Sequence, residues 1–267
     1  MVLEALNLDG RSAVVTGGGT GLGREMVRAL SAAGSDIVVV GRRQGPIEEA
    51  AGEAQANGRR GIAVPTDVTD TAQVEHLFQT AFSELGKVDV LINNAGVVRG
   101  QGGRPIWDIT DEEWTAGIEA NLSSAFYCSR AVARHMVDRG SGKIINVASG
   151  YGLRGARDNY MYGAGKGGVV NFTRSLAVSL GRHGVTANCI VPGFFPTEAT
   201  TGAGMELPGA DFIPVGRPGD PREVGPVAVW LASPASDYMT GELFIVDGGG
   251  MAGGIAPTGY APEAELE

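Results

Sequence analysis

Seven short apolar runs alternate with amphipathic helical patterns along most of the chain, and this alternation strongly constrains the fold. The runs resemble buried strands and cover residues 13–15, 37–40, 62–64, 88–92, 143–149, 185–191 and 242–246. Between the third and fourth runs, Val74, Leu77, Phe78, Ala81 and Leu85 follow the spacing of one helix face. The alternation predicts a doubly wound α/β fold: a seven-stranded parallel sheet with helices on both faces. We expect a single domain over residues 1–250 and a C-terminal tail over residues 251–267.

Charge and composition narrow the classes of partner. The 267 residues carry a net charge of −9 and a pI near 4.9, which argues against nucleic acid and anionic membrane surfaces. No run approaches the roughly 18 apolar residues of a membrane span, and the N-terminus lacks the pattern of a signal peptide. Neither the two cysteines, Cys128 and Cys189, nor the scattered histidines have metal-ligand spacing. We expect a cytoplasmic, soluble protein that binds no metal, membrane or nucleic acid.

A glycine-rich stretch, Thr16–Gly23, follows the first apolar run and precedes a helical pattern. Glycines at this position let a strand turn tightly into a helix and let the backbone approach a phosphate. The spacing of Gly17, Gly21 and Gly23 is G-x-x-x-G-x-G, which differs from the commonest dinucleotide fingerprint. The strand before it and the helix after it nevertheless favour a Rossmann-type nucleotide site. The alternative is a flexible glycine loop.

The end of the second predicted strand bears on the choice of nucleotide. In dinucleotide folds an acidic residue here holds the adenosine ribose, whereas arginine accommodates a 2′-phosphate. This chain has Gly41-Arg42-Arg43 and no carboxylate there. We therefore expect NADP(H) as cofactor, with NAD(H) as the less favoured choice. The alternative is that the two arginines are solvated residues at a helix start.

Tyr162 and Lys166 are the best candidates for acid/base chemistry. Four residues is about one helical turn, so their side chains project from the same helix face. A free tyrosine titrates near ~10, and a neighbouring ammonium favours the phenolate and lowers that value. The Ser149 hydroxyl, arriving from a strand end, can hydrogen-bond a substrate oxygen beside the phenol. The alternative is a surface lysine one turn below a packed tyrosine.

These candidates all lie at or beyond the carboxyl ends of predicted strands. Ligands of parallel α/β sheets bind at that edge, close to the point where the strand order reverses. We therefore expect one shared site. It is formed by Thr16–Gly23, Gly41–Arg43, Asp67, Asn93–Gly96, Ser149 and Pro192–Thr197.

From about Leu8 to Gly249 the sequence resembles the short-chain dehydrogenase/reductase family. The motifs that carry the resemblance are Thr16-Gly-x-x-x-Gly-x-Gly23, Asp67, Asn93-Asn-Ala-Gly96, Asn121, Ser149, Tyr162-x-x-x-Lys166 and Pro192-Gly-x-x-x-Thr197. The resemblance implies a nicotinamide cofactor and reversible hydride transfer between a ketone and a secondary alcohol. The expected cofactor-binding residues are Gly17, Gly19, Thr20, Gly21, Leu22, Gly23, Arg42, Arg43, Asp67, Val68, Asn93, Ala95, Gly96, Tyr162, Lys166, Pro192, Gly193 and Thr197.

The resemblance also implies catalytic roles. Tyr162 would be the general acid/base, and Ser149 would orient and polarise the substrate oxygen. Lys166 would lower the tyrosine pKa and bind the nicotinamide ribose. Asn121 would hold a water that relays protons; it lies in a long predicted helix that begins with a capping box at Thr110–Glu113.

The helix of Tyr162 is unusually rich in glycine, at Gly163, Gly165 and Gly167–Gly168. In this family that helix often faces a partner subunit, so we interpret the glycines as a dimer surface within a homotetramer, a dimer of dimers. The alternative is tight packing inside one chain. The tail from Met251 lies outside the resemblance and could be frayed or could cross to a neighbouring subunit.

The substrate is the least constrained part of the interpretation. The segment Pro192–Glu198 resembles the gluconate 5-dehydrogenase and 3-oxoacyl-carrier-protein reductase branches, which favours a sugar acid or polyol first and an acyl ketone or other small ketone second. Arginine binds carboxylates and phosphates through two parallel hydrogen bonds. Candidates for such a clamp are Arg99, Arg104, Arg154 and Arg157. The alternatives are solvated loop arginines and, for the whole protein, a nucleotide-binding regulator without catalysis.

Overall fold

The fold is built on one parallel sheet. The computed structural model describes residues 2–97, 104–155, 157–201 and 213–253. The strands are β1 (Ser12–Thr16), β2 (Asp36–Gly41), β3 (Gly61–Pro65), β4 (Val90–Asn93), β5 (Gly142–Val147), β6 (Val185–Pro192) and β7 (Leu243–Val246). All neighbours are parallel, in the order β3-β2-β1-β4-β5-β6-β7. The predicted seven-stranded doubly wound sheet is therefore confirmed.

Helices cover both faces of this sheet. They are α1 (Val2–Ala5), α2 (Gly21–Ala32), α3 (Gln44–Ala56), α4 (Thr71–Leu85), α5 (Asp111–Ile118), α6 (Ser124–Arg139), α7 (Tyr160–Leu180), α8 (Glu198–Thr201) and α9 (Gly225–Ala232). Val15 of β1 packs into the core shared with α2, α3 and α9, whereas Val14 packs into the core shared with α4, α6 and α7. Because both faces are covered, every residue of β1 and of β5 is buried, including the polar residues Lys143 and Asn146 of β5.

The strand order places the site. From β1 the chain runs outward through β2 and β3, then returns to β4 on the other side of β1. The carboxyl ends of β1 and β4 therefore border the crevice in which ligands of such sheets bind. The glycine-rich loop and the segment Asn93–Gly96 lie at this point.

The long predicted helix around Asn121 is interrupted. Its capping box is confirmed: the Thr110 hydroxyl accepts from the Glu113 N–H at 3.2 Å, and the Glu113 carboxylate accepts from the Thr110 N–H at 3.0 Å. A π-helical turn at Glu119–Ser123 then separates α5 from α6. Such turns occur frequently at functional sites, and this one contains Asn121. Within the described ranges, no helix is long and apolar enough to cross a membrane.

Candidate active site

The glycine-rich loop leaves the first turn of α2 open toward a cleft. Gly17 and Gly21 have φ angles of +64° and +53°, a left-handed backbone that favours glycine. A Cβ on Gly23 would lie 2.0 Å from the Gly17 carbonyl oxygen, so no side chain fits there. The N-cap residue Thr20 makes no side-chain capping hydrogen bond. The first-turn N–H groups are thus suited to an anionic group, and this cradle fits the phosphates of a dinucleotide.

The cleft has a volume of about 240 Å³ and gathers residues from several strand ends. Its lining includes these predicted residues: Gly17, Thr20, Gly21, Leu22, Gly96, Ser149, Tyr162, Lys166, Pro192, Gly193 and Thr197. It also includes residues that are not among the individually expected catalytic or cofactor-binding residues: Asn94, Val147, Ala148, Phe194, Phe195 and Thr200. Of these, Asn94, Phe194 and Phe195 lie inside motifs already recognised, whereas Thr200 carries no sequence signal.

Ser149, Tyr162 and Lys166 meet at the inner end of this cleft. Ser149 lies two residues beyond β5, and the other two lie one turn apart on α7. Ser149 and Tyr162 both line the cleft, and the Lys166 Nζ lies 5.8 Å from the Tyr162 ring centroid. Tyr162 is 9% exposed and Lys166 is 4% exposed. The Lys166 Nζ donates to the Val147 carbonyl oxygen at 2.8 Å, which fixes its position.

Burial dominates the electrostatics of this inner end. It raises the pKa of Tyr162, and the influence of the nearby Ser149 hydroxyl offsets only part of that rise. It also lowers the pKa of Lys166 to about 8. The expectation that Lys166 brings the Tyr162 pKa below its ordinary value is therefore wrong for this arrangement. Desolvation favours the neutral form of both groups and is the largest cause of both pKa shifts.

Asn121 joins the π-helical turn to the segment after β4. It is 2% exposed. Its Oδ1 accepts from the Val97 N–H at 3.0 Å, and its Nδ2 donates to the carbonyl oxygens of Val97 and Gly117 at 3.2 and 3.0 Å. A Cβ on Gly96 would lie 2.9 Å from the Asn121 Oδ1 and 3.1 Å from the Lys166 Nζ, so Asn121 borders the inner end. The predicted water relay remains a prediction.

Two of the α7 glycines are explained inside the chain. A Cβ on Gly165 would lie 2.7 Å from the Cβ of Asn121, and one on Gly168 would lie 2.7 Å from a methyl carbon of Leu122. These glycines let α7 approach the π-helical turn. The alternative of tight packing within one chain is confirmed for both positions. The interpretation of the α7 glycines as a dimer surface remains a prediction.

The two asparagines after β4 have different surroundings. Asn93 is 5% exposed, and its Nδ2 donates to Ser129 and Asn146 in the interior at 3.0 and 2.9 Å. Its side chain therefore faces the core, contrary to a cofactor contact through the amide. Asn94 lines the cleft instead and donates to the carbonyl oxygens of Thr16 and Gly17. Successive side chains of extended backbone point to opposite sides, which explains the difference.

Several other expected cofactor residues lie outside the lining of the cleft. The Asp67 Oδ1 accepts from the N–H and the hydroxyl of Thr69, which shapes the loop after β3. A Cβ on Gly19 would meet Ile47 of α3 at 3.0 Å, so Gly19 provides close packing between the loop and α3. The residues outside the lining are Gly19, Gly23, Arg42, Arg43, Asp67, Val68, Asn93 and Ala95, and also the catalytic candidate Asn121. Their predicted roles remain predictions.

The two arginines after β2 differ in their ion-pair partners. Arg43 makes a bidentate ion pair with Glu198 of α8, with distances of 2.9 and 3.1 Å between nitrogen and oxygen. This carboxylate comes from 155 positions further along the chain, so no local pattern predicts it. Arg42 is exposed and makes no hydrogen bond or ion pair with the residues that the structure describes.

The four candidate substrate arginines also differ in their contacts. Arg99 lies outside the described residues. Arg104 pairs with Glu113, and Arg157 is 95% exposed, with its Nε 3.4 Å from an Asp158 carboxylate oxygen. Arg154 donates to the Gly250 carbonyl oxygen at 3.2 Å.

The first residue of the predicted tail, Met251, also lies at this place. Its Sδ is 4.0 Å from the Arg154 Nη1 and would be 3.4 Å from a Cβ on Gly150. The start of the tail therefore packs on the loop that follows Ser149 in the same chain. Residues 254–267 of the tail lie outside the described residues.

A doubly wound sheet with a glycine cradle and a buried Ser–Tyr–Lys cluster at one edge is typical of nucleotide-dependent oxidoreductases. The family model described as short chain dehydrogenase matches residues 11–206. The chain therefore belongs to the short-chain dehydrogenase/reductase family, and it is an oxidoreductase that acts on alcohol or ketone substrates. This supports an enzyme rather than a regulator.

Relatives come from both expected branches. A 3-oxoacyl-[acyl-carrier-protein] reductase of Synechocystis is 38% identical over 244 residues, covering 91% of this chain and 97% of the relative. A 2-dehydro-3-deoxy-D-gluconate 5-dehydrogenase of Dickeya dadantii is 37% identical over 257 residues, covering 94% and 100%. A solved gluconate 5-dehydrogenase of Burkholderia cenocepacia, in complex with NADP and tartrate, is 33% identical with a TM-score of 0.88, covering 95% and 100%.

Proposed function

We propose that this enzyme reduces a ketone, or oxidises the corresponding secondary alcohol, with NADP(H), and that Tyr162 is its acid/base. The single observation that carries this proposal is the convergence of Ser149, Tyr162 and Lys166 at the inner end of the cleft, with the Lys166 Nζ 5.8 Å from the Tyr162 ring centroid. A raised Tyr162 pKa keeps the phenol protonated at neutral pH. The group is therefore ready to donate a proton to a ketone oxygen.

In this proposal the cleft holds the cofactor along its length. The N–H groups of the glycine cradle and of the first turn of α2 bind the phosphates, and Pro192, Gly193 and Thr197 border the nicotinamide end. The bound nicotinamide supplies or accepts the hydride. Lys166, held by the Val147 carbonyl oxygen, has a buried ammonium beside the site that can hydrogen-bond a ribose hydroxyl.

The substrate oxygen lies between two hydroxyl groups. Ser149 donates a hydrogen bond to this oxygen and fixes its position, and Tyr162 transfers the proton. Asn121 fixes the backbone of Val97 next to Lys166 and thereby maintains the inner wall of the site. Water enters the proton path from the side of Asn121.

The preference for NADP(H) rests on Arg42 and Arg43 and on the absence of a carboxylate at the end of β2. The solved relative from Burkholderia cenocepacia contains NADP, which supports the same choice. We expect a higher kcat/KM with NADPH than with NADH, and Gly41→Asp combined with Arg42→Ala should shift the preference toward NADH. A higher wild-type kcat/KM with NADH would reject the proposed cofactor.

For the substrate we propose a keto sugar acid, held by Arg154. Among the described candidates, Arg104 and Arg157 contact carboxylates, whereas Arg154 is bonded to a carbonyl oxygen and can exchange it for an anion. Arg154→Ala should raise KM for 5-ketogluconate several-fold and leave KM for a neutral ketose nearly unchanged. Arg157→Ala, three positions away, is the matched control. Equal effects of Arg154→Ala on both substrates would reject the clamp.

A second candidate substrate is a 3-oxoacyl thioester, because 3-oxoacyl-carrier-protein reductases cover 91% of this chain, compared with 94% for a sugar-acid dehydrogenase, at similar identity. Measurement of kcat/KM for 5-ketogluconate and for an acetoacetyl thioester in the same assay distinguishes the two. A higher value for the thioester would reject the sugar acid.

We further propose a homo-oligomer, a dimer of dimers formed by copies of this chain. Its support is the exposure of large apolar residues on neighbouring helices: Trp114 of α5 is 45% exposed and Phe126 of α6 is 42% exposed. Light scattering combined with size-exclusion chromatography tests it, and a monomer at micromolar concentration would reject it. The cytoplasmic location remains a prediction from the sequence.

A further inference from the structure

The ion pair between Arg43 and Glu198 connects opposite borders of the cofactor cleft. Arg43 follows β2 and precedes α3, on the side of the glycine cradle. Glu198 begins α8 and directly follows Thr197, which lines the other border. The two borders are already in contact here, because a Cβ on Gly21 would lie 3.3 Å from the Cβ of Thr197. Neither charged side chain lines the cleft itself. We call the position of this pair the outer end of the cleft, because Arg43 follows β2, where our proposal places the adenosine ribose.

The carboxylate of Glu198 occupies the donors of Arg43 that an anionic ligand would use. Both terminal nitrogens of the guanidinium are engaged, one by each carboxylate oxygen. A phosphate accepts the same pair of parallel hydrogen bonds. One guanidinium edge cannot make both sets of bonds at once, so a phosphate that binds this edge of Arg43 must displace Glu198.

The carboxylate is available for this pairing at neutral pH. The hydrogen bond from Arg43, followed by its charge, lowers the pKa of Glu198, so the side chain is ionised. The side chains of Arg43 and Glu198 are 60% and 59% exposed. Water and salt screen such a pair, so a ligand with a phosphate dianion can displace it at modest cost.

We propose that Glu198 is an internal competitor for the 2′-phosphate of the cofactor at Arg43, and that it thereby limits the selectivity of this enzyme for NADP(H). The inference rests on the proposed cofactor. Arg42, which makes no such pair with the described residues, holds the phosphate without competition. Glu198 is thus a specificity-determining residue that lies far from Arg43 in the sequence and acts only on the phosphorylated nucleotide.

The test measures binding and needs no turnover. Dissociation constants for 2′,5′-ADP and 5′-AMP, which differ by the 2′-phosphate, are measured by calorimetry for the wild type and for Glu198→Gln. The variant should bind 2′,5′-ADP about threefold or more tightly, a factor that matches an exposed ion pair, and should bind 5′-AMP unchanged. Glu48→Gln is the matched control, because it removes the same charge from the exposed surface of α3, where Glu48 accepts from Gln44 at 2.7 Å and from no other residue that the structure describes.

A second background separates competition from a general effect of charge. In Arg43→Ala, the additional change Glu198→Gln should alter neither dissociation constant, since the competed group is gone. If Glu198→Gln weakens both nucleotides, the ion pair is a structural clamp and the inference is wrong. If it tightens both equally, the effect is general and the inference is also wrong.

The results also separate this inference from the proposed cofactor. A wild type that prefers 2′,5′-ADP, with no further gain in Glu198→Gln, overturns the competition and leaves the NADP(H) proposal standing. A wild type without preference, combined with a preference in Glu198→Gln, supports the competition and overturns the NADP(H) proposal. No preference in either protein overturns both.

Discussion

The two ends of the cleft place charged groups under opposite conditions. At the inner end, Tyr162 and Lys166 are 9% and 4% exposed, and burial is the largest cause of both pKa shifts. At the outer end, Arg43 and Glu198 are about 60% exposed, and each shifts the pKa of the other by direct pairing. Burial by itself shifts the pKa of a group, whereas the pKa of an exposed group is shifted mainly by its charged partner.

This difference separates chemistry from selectivity. Removal of a desolvated phenol beside a desolvated amine should change the reaction rate strongly, because no water takes the place of the lost proton donor. A solvated ion pair gives small effects that salt can reduce. We therefore expect perturbations of the inner end to change rate and folding strongly, and perturbations of the outer end to change nucleotide preference modestly.

The largest expected effect is that of Tyr162→Phe. The variant keeps the packing of the ring but removes the proton donor, so kcat should fall by about 10²–10⁴-fold while the cofactor dissociation constant changes little. Tyr160→Phe is the matched control: its hydroxyl is bonded to Asp158 at 3.0 Å, and its loss should leave kcat near the wild-type value. A kcat for Tyr162→Phe close to that of the wild type would contradict the assignment.

The next effect tests the packing that supports the inner end. Gly165→Ala places a Cβ 2.7 Å from the Cβ of Asn121, and overpacking of this kind should lower the free energy of unfolding by about 1–3 kcal/mol. Gly163→Ala is the control, because its Cβ would lie at an ordinary 3.5 Å from the Tyr151 carbonyl oxygen. That change should be neutral or stabilise α7 by up to about 1 kcal/mol. Urea denaturation measures both, and equal losses would reject the packing argument.

The same end of the cleft should also show a pH dependence of stability, which Lys166 causes. Burial lowers its pKa from 10.5 to about 8 in the folded protein. In that window the unfolded chain binds the proton and the folded protein does not, so stability rises with pH, by up to about 1.4 kcal/mol per unit. The wild type should therefore gain stability relative to Lys166→Met as pH rises from 8 toward 10.5. A difference between the two proteins that is constant with pH would contradict the buried ammonium.

The smallest expected effect concerns salt at the outer end. Raising the ionic strength from about 0.05 to 0.5 M should weaken the binding of 2′,5′-ADP a few-fold more than that of 5′-AMP, because exposed charges are screened. The value of kcat at saturating cofactor should stay nearly constant, since the inner end is buried. A strong loss of kcat with salt would show that the two ends are not electrostatically distinct.

The sequence by itself determined the sheet and the edge at which the site lies. Apolar runs and amphipathic patterns follow from the side-chain periodicity of strands and helices, and this periodicity is a local property of the sequence. The positions of Ser149, Tyr162 and Lys166 follow from one strand end and one helical turn, which are local as well. The glycine cradle at Gly17 and Gly21 is likewise set by φ angles that few other residues adopt.

The tertiary structure decided everything that depends on how these pieces pack together. The direction of the Tyr162 pKa shift depends on its burial, Gly165 is required by Asn121 of another helix, and Glu198 reaches Arg43 from 155 positions away. Such contacts join segments whose separation carries no periodic signal, so propensity and spacing cannot predict them. They depend on packing distances and on the access of water, which are set only when the whole chain has folded.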